Sequence, residues 1–383
     1  MFDAAKFIEA SLPKLRAQVG DNQALVALSG GVDSSVAAAL MNKAVGKQLR
    51  ALLLDTGFMR ENEPEQVRKW MKQAGIELDV RDVSKEFFSA LKGLSDAEEK
   101  RKAFRNTFYT VFGRETKKFN CDYLVQGTIA PDWIETEGGI KSQHNVLEQI
   151  GIDTKTKFGF RLIEPLSQLY KDQVRLLGKE LGLPQEVCER QPFPGPGLMV
   201  RCVGEVREDK VKDLRHSVAV VEKHVTNADA QQYFAAIFDS RGKDAMNIAE
   251  QASELFDDKC SAFLYDSKAT GVKGDLRFYG KLVGLKLGRR HPVEELSKKQ
   301  LDIVIKNEGV CRVLVKVASQ QKKEPYCVAI RAIRTRDFMT ATVSDISWDR
   351  LDAMAKEILA SCPRVWRVYY DVTPKPPATV EFE

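Results

Sequence analysis

Residues 29–35, Ser-Gly-Gly-Val-Asp-Ser-Ser, interrupt an apolar run at 24–28 and precede an alanine- and valine-rich run at 34–45. Gly30 and Gly31 admit backbone conformations closed to other residues and leave room for a ligand to approach. Ser29, Ser34 and Ser35 supply hydroxyl groups, and a turn at a helix N-terminus offers free N–H groups and a dipole that favour an anion. The stretch reads as a phosphate cradle. It lacks the Gly-Lys-Ser/Thr ending that brings a lysine to terminal phosphates. Asp33 would be repelled by phosphate unless a cation intervened, which makes it the candidate Mg²⁺ ligand. The plainer alternative is a serine-rich helix cap in which Asp33 only favours the first helical turn. Spacing alone leaves both open.

The elements that must position this loop alternate in type. Apolar runs at 24–28, 50–58, 76–83 and from 122, with another at "RLIEPL", read as strands. Helical patterns occupy 34–45, about 63–74, 96–119 and the segment after "RLIEPL". Such alternation predicts an α/β fold with a doubly wound parallel sheet, because parallel strands need long crossovers. Ligands in these sheets sit beyond the carboxyl ends of the strands, so the loops at 29–35, 55–57 and 126–132 should meet at one site. The texture changes at "RQPFPGPGLMV", 190–200. A first domain is therefore expected over 1–200 and an α+β C-terminal domain over 201–383, with 205–260 mainly helical. Segments 271–320 and 327–374 each read as strand, helix, strand, and end in the related strings "VCRVLVKV" and "VWRVYYDV". An internal duplication is expected there, with chance resemblance of two such units as the other explanation.

At 383 residues, 43% hydrophobic and 30% charged, the chain has the balance of a globular protein with room for two domains. No apolar stretch approaches the roughly 20 residues of a membrane span, and Asp3, Lys6 and Glu9 break any signal-peptide core, so a cytoplasmic protein with no membrane partner is expected. Seven scattered cysteines without a C-x-x-C pair and four dispersed histidines indicate neither a disulfide framework nor a metal knuckle. The net charge of +5, with acidic residues interspersed, does not suggest a nucleic-acid partner, while leaving room for basic pockets that take phosphorylated small molecules.

The string "SGGVDSS" is similar to the signature of the PP-loop ATP pyrophosphatases. "QGTIAPDWIE" (126–135), "IKSQHNV" (140–146), "QPFPGPGL" (191–198) and "KPPATVEFE" (375–383) resemble, in order, segments of the ATP pyrophosphatase part of GMP synthetase. "EEKRKA", "LYKDQVRLLGKELGLP", "GVKGDLRFYG" and "DFMTA" extend the likeness to essentially the whole chain. The resemblance implies that the C2 oxygen of xanthosine monophosphate (XMP) attacks the α-phosphorus of ATP, releasing pyrophosphate, and that ammonia then displaces AMP to give GMP. Adenylylation turns a poor leaving oxygen into a good one, and catalysis is positioning and charge neutralisation.

Carried onto this sequence, the resemblance implies that Ser29, Gly30, Gly31, Val32, Asp33, Ser34 and Ser35 hold the ATP phosphates with Mg²⁺ at Asp33, and that Asp55, Gly57, Gln126, Gly127 and Thr128 line the same nucleotide. By the same resemblance Lys141, His144, Lys171 and Asp172 would face the reacting phosphates with Asp33. It likewise implies that Arg101, Pro194, Gly195, Pro196, Gly197, Asp275, Arg277, Lys375, Thr379 and Glu381 take the acceptor nucleotide. Gln143 stands where the family usually has a second histidine; it cannot titrate, but it can donate and accept. No glutaminase segment is present, so ammonia is expected free or from a separate glutamine amidotransferase subunit. The C-terminal region, longer than in short prokaryotic members of the family, implies a homodimer or an internal pseudo-dimer, the latter making the chain less dependent on homodimerisation. Two other readings stand beside this one: a PP-loop tRNA-modifying enzyme using Cys121, Cys188 or Cys202, and a non-catalytic nucleotide-binding regulator.

Overall fold

Asp3 opens the first helix, α1 (Ala4–Val19), by accepting the backbone N–H of Lys6, and Gly20 at φ +57° closes it. From there the expected alternation appears as β1 (Ala24–Leu28), α2 (Val32–Val45), β2 (Leu49–Asp55), α3 (Glu63–Gln73), β3 (Leu78–Asp82), α4 (Ser84–Leu91) and α5 (Ala97–Thr116). Then come β4 (Tyr123–Val125), β5 (Arg161–Ile163), α6 (Lys171–Glu180) and a short α7 (Gln185–Cys188). The protein is seen in a computed structural model that describes residues 2–131, 160–274, 276–335 and 340–383. It divides into two units, one of Met1–Phe87 and Arg105–Gly195, the other of Phe88–Phe104 and Pro196–Glu383.

The first unit holds a five-stranded, all-parallel sheet in the order β3-β2-β1-β4-β5. The alternation within β1 sends Ala24, Val26 and Leu28 into a core shared with Leu15 and Val19 of α1, Leu40 and Met41 of α2, Val67 and Met71 of α3, and Val174 and Leu177 of α6. Leu25, Leu52, Leu54 and Leu124 are buried as well, so the central strands β1, β2 and β4 are covered on both faces, while the edge strand β3 turns Asp79 and Arg81 outward. The strand order reverses between β1 and β4, the switch point at which the loops leaving two neighbouring strands diverge and open a crevice.

The second unit comprises α8 (Glu208–His224), β6 (Gln232–Asp239), β7 (Gly242–Asp244), α9 (Met246–Phe256), β8 (Ser261–Lys273), β9 (Leu276–Lys286), α10 (Val293–Lys306), β10 (Val310–Ser319), β11 (Tyr326–Arg334), β12 (Thr342–Val343), α11 (Trp348–Ser361) and β13 (Val365–Asp371). Its sheet has eight strands. The two strand-helix-strand segments lie side by side: β9 runs parallel to β10 and β11 parallel to β13, while β10 and β13 meet antiparallel at the centre. β8 flanks β9 and β6 flanks β11, both antiparallel, so apart from the short β7 and β12 the pattern reads the same in either direction. The expectation of a mainly helical 205–260 is corrected by β6. Its sequence, QYFAAIFD, is buried along almost its whole length and shows no alternation to mark it as a strand.

One face of this sheet carries a buried charge cluster. Asp371, Arg312 and Arg331 have fully buried side chains; Asp371 accepts from Arg312 at 2.8 Å and from Arg331 at 2.7 Å. Arg312 and Arg331 also donate to the carbonyl of Thr379, and Arg331 donates to that of Val380, so two guanidinium groups bind the C-terminal strand of chain. Burial pulls the Arg331 guanidinium down to about 10. Removing the carboxylate leaves two uncompensated buried cations, a change that costs about 3–5 kcal/mol. Asp371→Ala should therefore destabilise the second unit by that amount in urea denaturation, and a loss under about 1 kcal/mol would show that the cluster contributes little.

Candidate functional site

The loop between β1 and α2 is built as its composition dictates. Gly30 sits at φ +78°, a region that strains other residues. Gly31, extended at φ −79° and ψ 161°, caps α2, so the helix begins at Val32 and places Asp33 in its first turn. The Ser34 hydroxyl lies 3.2 Å from that of Ser29 and 3.2 Å from the Gly31 carbonyl, to which it donates. The Ser35 hydroxyl donates to the same carbonyl at 2.9 Å from a fully buried position, where it braces the loop from inside. The backbone N–H of Gly31 reaches Ser29 only at 3.4 Å.

Asp33 is held by one oxygen. Oδ2 accepts from Lys171 Nζ at 2.5 Å, whereas Oδ1 is buried without a hydrogen-bond partner. A buried carboxylate oxygen left unmatched is the right kind of atom for a hard cation. Among the described residues no cluster of three metal-ligating side chains exists, so a cation there would draw its other ligands from phosphate oxygens and water. Lys171 begins α6, and Asp172 follows it exposed in the first turn, suited to the helix dipole.

The loop after β4 closes on the cradle. A Cβ on Gly127 would lie 2.6 Å from the backbone nitrogen of Ser34 and 2.7 Å from the carbonyl carbon of Asp33. Gln126 donates its N–H to Ile163 and has a buried side-chain oxygen without a partner. Thr128 donates to Glu164 at 2.5 Å. Beyond β2, Asp55 accepts the N–H of Gly57, which sits at φ +83°. The loops at 29–35 and 126–128 thus touch. Lys141, His144, Gln143 and Asp275 lie outside the described residues.

Residues without a sequence pattern complete the cradle. Arg190 donates to the Gly30 carbonyl at 2.8 Å and pairs at 2.6 Å with Glu63, which is 1% exposed. Its guanidinium also lies 5.3 Å from the Trp70 ring. Glu63 in turn accepts the N–H of Arg60, whose guanidinium covers Phe193 at 4.0 Å. The only sequence signal is Glu63-Pro64 at a helix start, which marks the helix and not the partner. Pro194 and Gly195 end the first unit, and Pro196 and Gly197 open the long second stretch of the other.

The second unit gathers most of the described residues expected at the acceptor. Arg101 pairs with Glu98 at 2.7 Å, Tyr279 donates to the same carboxylate at 2.6 Å and Arg277 lies 3.9 Å from it. Glu98 is held below the usual carboxylate range by Tyr279, Arg101 and Arg277, which outweigh its burial. The tail does not fray: Phe382 and Glu383 are buried, Thr379 donates to Thr270 at 3.1 Å, and Glu381 is gripped by both arms of Arg201 at 2.9 Å. Glu383 pairs with the buried Lys100 and accepts the N–H of Gly204. Lys375 exchanges backbone hydrogen bonds with Ala341.

A parallel sheet with a glycine- and serine-lined anion loop at its switch point defines a PP-loop nucleotide-binding protein, and the PP-loop domain family matches residues 5–183. The GMP synthase C terminal domain family matches residues 294–382. A protein of Sulfurisphaera tokodaii named as one subunit of the glutamine-hydrolyzing GMP synthase is 45% identical over all of both chains. Its namesake in Saccharolobus solfataricus is also 45% identical, and that in Methanocaldococcus jannaschii 40%, each over the full length of both chains. The chain belongs to this family of GMP synthase subunits.

Gly127→Ala tests the contact between the two loops. The added methyl cannot fit without moving backbone, a strain of about 1–3 kcal/mol. We expect kcat/KM for the nucleotide to fall at least about tenfold with only a modest drop in Tm; unchanged kinetics would show that the loops do not need to touch.

Proposed function

We propose that this protein makes GMP from XMP, ATP and ammonia, as a ligase that releases AMP and pyrophosphate. The observation that carries the reading is the ligand-ready cradle, in a chain alike over its whole length to proteins named as GMP synthase subunits. The XMP C2 oxygen attacks the α-phosphorus and expels pyrophosphate; ammonia adds at C2, AMP leaves, and a proton is released. Ser29, Gly31 and Ser34 hold the pyrophosphate end, and Lys171 offers a positive charge beside it. Mg²⁺ at Asp33 Oδ1, when bound, neutralises phosphate charge and orients it. Gln126, Gly127, Thr128, Asp55 and Gly57 border the nucleotide, while Arg101, Arg277, Lys375, Thr379 and Glu381 serve the acceptor.

Ammonia comes from a separate glutamine amidotransferase subunit, in keeping with relatives whose names make them one subunit of a glutamine-hydrolyzing enzyme. The tRNA-modifying alternative is disfavoured by its thiols. Burial raises Cys188 and Cys202 and pushes Cys121 up to about 11, away from the thiolate that such chemistry needs. No described helix is long and apolar enough to cross a membrane.

With ATP, Mg²⁺ and XMP, ammonium should support AMP and GMP formation and glutamine alone should not. Lys171→Ala should lower kcat by about 100-fold while XMP affinity holds. Turnover with glutamine alone, or none with ammonium, would sink this reading. The palindromic sheet of the second unit also supports an internal pseudo-dimer, so light scattering at low concentration should give the mass of a single chain; a tight dimer would refute it.

A further inference from the structure

The two halves of the second unit's sheet correspond residue by residue. Leu285 faces Val315 across β9 and β10 as Ile330 faces Tyr370 across β11 and β13, and each pair is joined by a helix of 14 residues. In that correspondence Arg312 answers to Arg367, Arg331 to Lys286, and Asp371 to Lys316. At one end, then, a carboxylate sits between two guanidinium groups under the C-terminal strand of chain. At the other end the acid is replaced by a lysine, and three cations share the place.

Among the described residues none of Lys286, Lys316, Lys323 and Arg367 joins an ion pair. Lys316 is half-buried opposite Tyr369, and its ammonium is driven down by burial and then by Lys286, Arg367 and Arg290. Arg367 donates to the hydroxyls of Tyr265 and Tyr369 at 3.4 and 3.3 Å and lies 3.5 Å over Trp366. Lys323 stands 5.4 Å from Trp366 and 5.8 Å from Phe263. Two neighbouring cations are already paired, Arg290 with Asp352 and Lys322 with Glu324. The unpaired positive charge is thus gathered on Lys286, Lys316, Lys323 and Arg367, an arrangement that suits a compact anion better than a long polyanion.

We propose that this end of the sheet binds the phosphate group of a small phosphorylated molecule. Lys286, Lys316 and Arg367 take the phosphate, and Trp366 with Phe263 flanks the rest of the ligand. A multivalent anion supplies what Asp371 supplies at the other end, and charge-assisted bonds from three cations give it a firm seat. The site belongs to the second unit alone and does not depend on the reaction proposed above.

The test titrates the full chain with inorganic pyrophosphate and then with ribose 5-phosphate and XMP, at constant ionic strength, reading tryptophan fluorescence with Trp366→Phe as the blank. A saturable signal that disappears in Trp366→Phe is expected, and Lys316→Asp should weaken it at least about tenfold. Lys316→Asp recreates the ion pair of the other end, so it should fold with an unchanged or higher Tm. Lys286→Gln, at an exposed position, gives a second measure free of any folding effect and should also weaken binding. The proposal is overturned if chloride reproduces the signal, if both lysine variants bind as well as the native chain, or if only polyglutamate or RNA produces it.

Discussion

Asp371 carries one negative charge between two guanidinium groups, with all three side chains removed from water. The cluster keeps a net positive charge, and in a medium of low polarity that excess must be met by dipoles. The carbonyls of Thr379, Val380 and Glu381 meet it, accepting from Arg312 and Arg331. The tail is consequently ordered by charge that the sheet cannot balance alone. Phe382 then adds an apolar anchor, 4.1 Å beneath the Arg312 guanidinium and edge-on to Phe234. Glu381 and Glu383 finish the path on Arg201 and Lys100.

In the first unit the equivalent problem is to hold an anion loop open. The loop is secured from behind: Ser35 grips the Gly31 carbonyl, Arg190 the Gly30 carbonyl, and Gly127 abuts the start of α2. Fixing the two carbonyls fixes the peptide planes and hence the direction of the following N–H groups. Glu63 keeps Arg190 in place and is itself kept by Arg60, so the support reaches well beyond the seven residues of the motif. Such preorganisation spares a ligand the task of ordering the loop.

Much of this was legible in the sequence because it is local. The alternation of strand and helix patterns revealed the parallel sheet, and its strand ends located the loops at 29–35 and 126–128. Gly30 and Gly31 announced the turn by type alone. The related strings around Arg312 and Arg367 pointed to two strand-helix-strand units. What stayed hidden is non-local. Arg190 and Gly30 are far apart in the chain, as are Thr128 and Glu164, and no periodicity links an arginine to a carbonyl it will meet. Lys171 opposite Asp33 was reached through family resemblance and not through spacing. β6 escaped because its buried apolar run, with two alanines and amid helical patterns, cannot be told from a buried helix segment by periodicity alone, and α4 because eight residues are too few to show a helical period clearly.

The order of the strands has a consequence for how the chain assembles. β6 ends at Asp239, and its neighbour β11 begins only at Tyr326, after one whole half of the sheet has been spelled out in between. That intervening half pairs largely between neighbours in sequence, β8 with β9 and β9 with β10, and can close early. The outer half must bridge a long loop, and loop entropy delays it. During synthesis β6 therefore waits with one edge unmet, and an unmet apolar edge is where association with other chains begins. The nesting that gives the finished sheet its symmetry also makes the outer half the last and most vulnerable part to form.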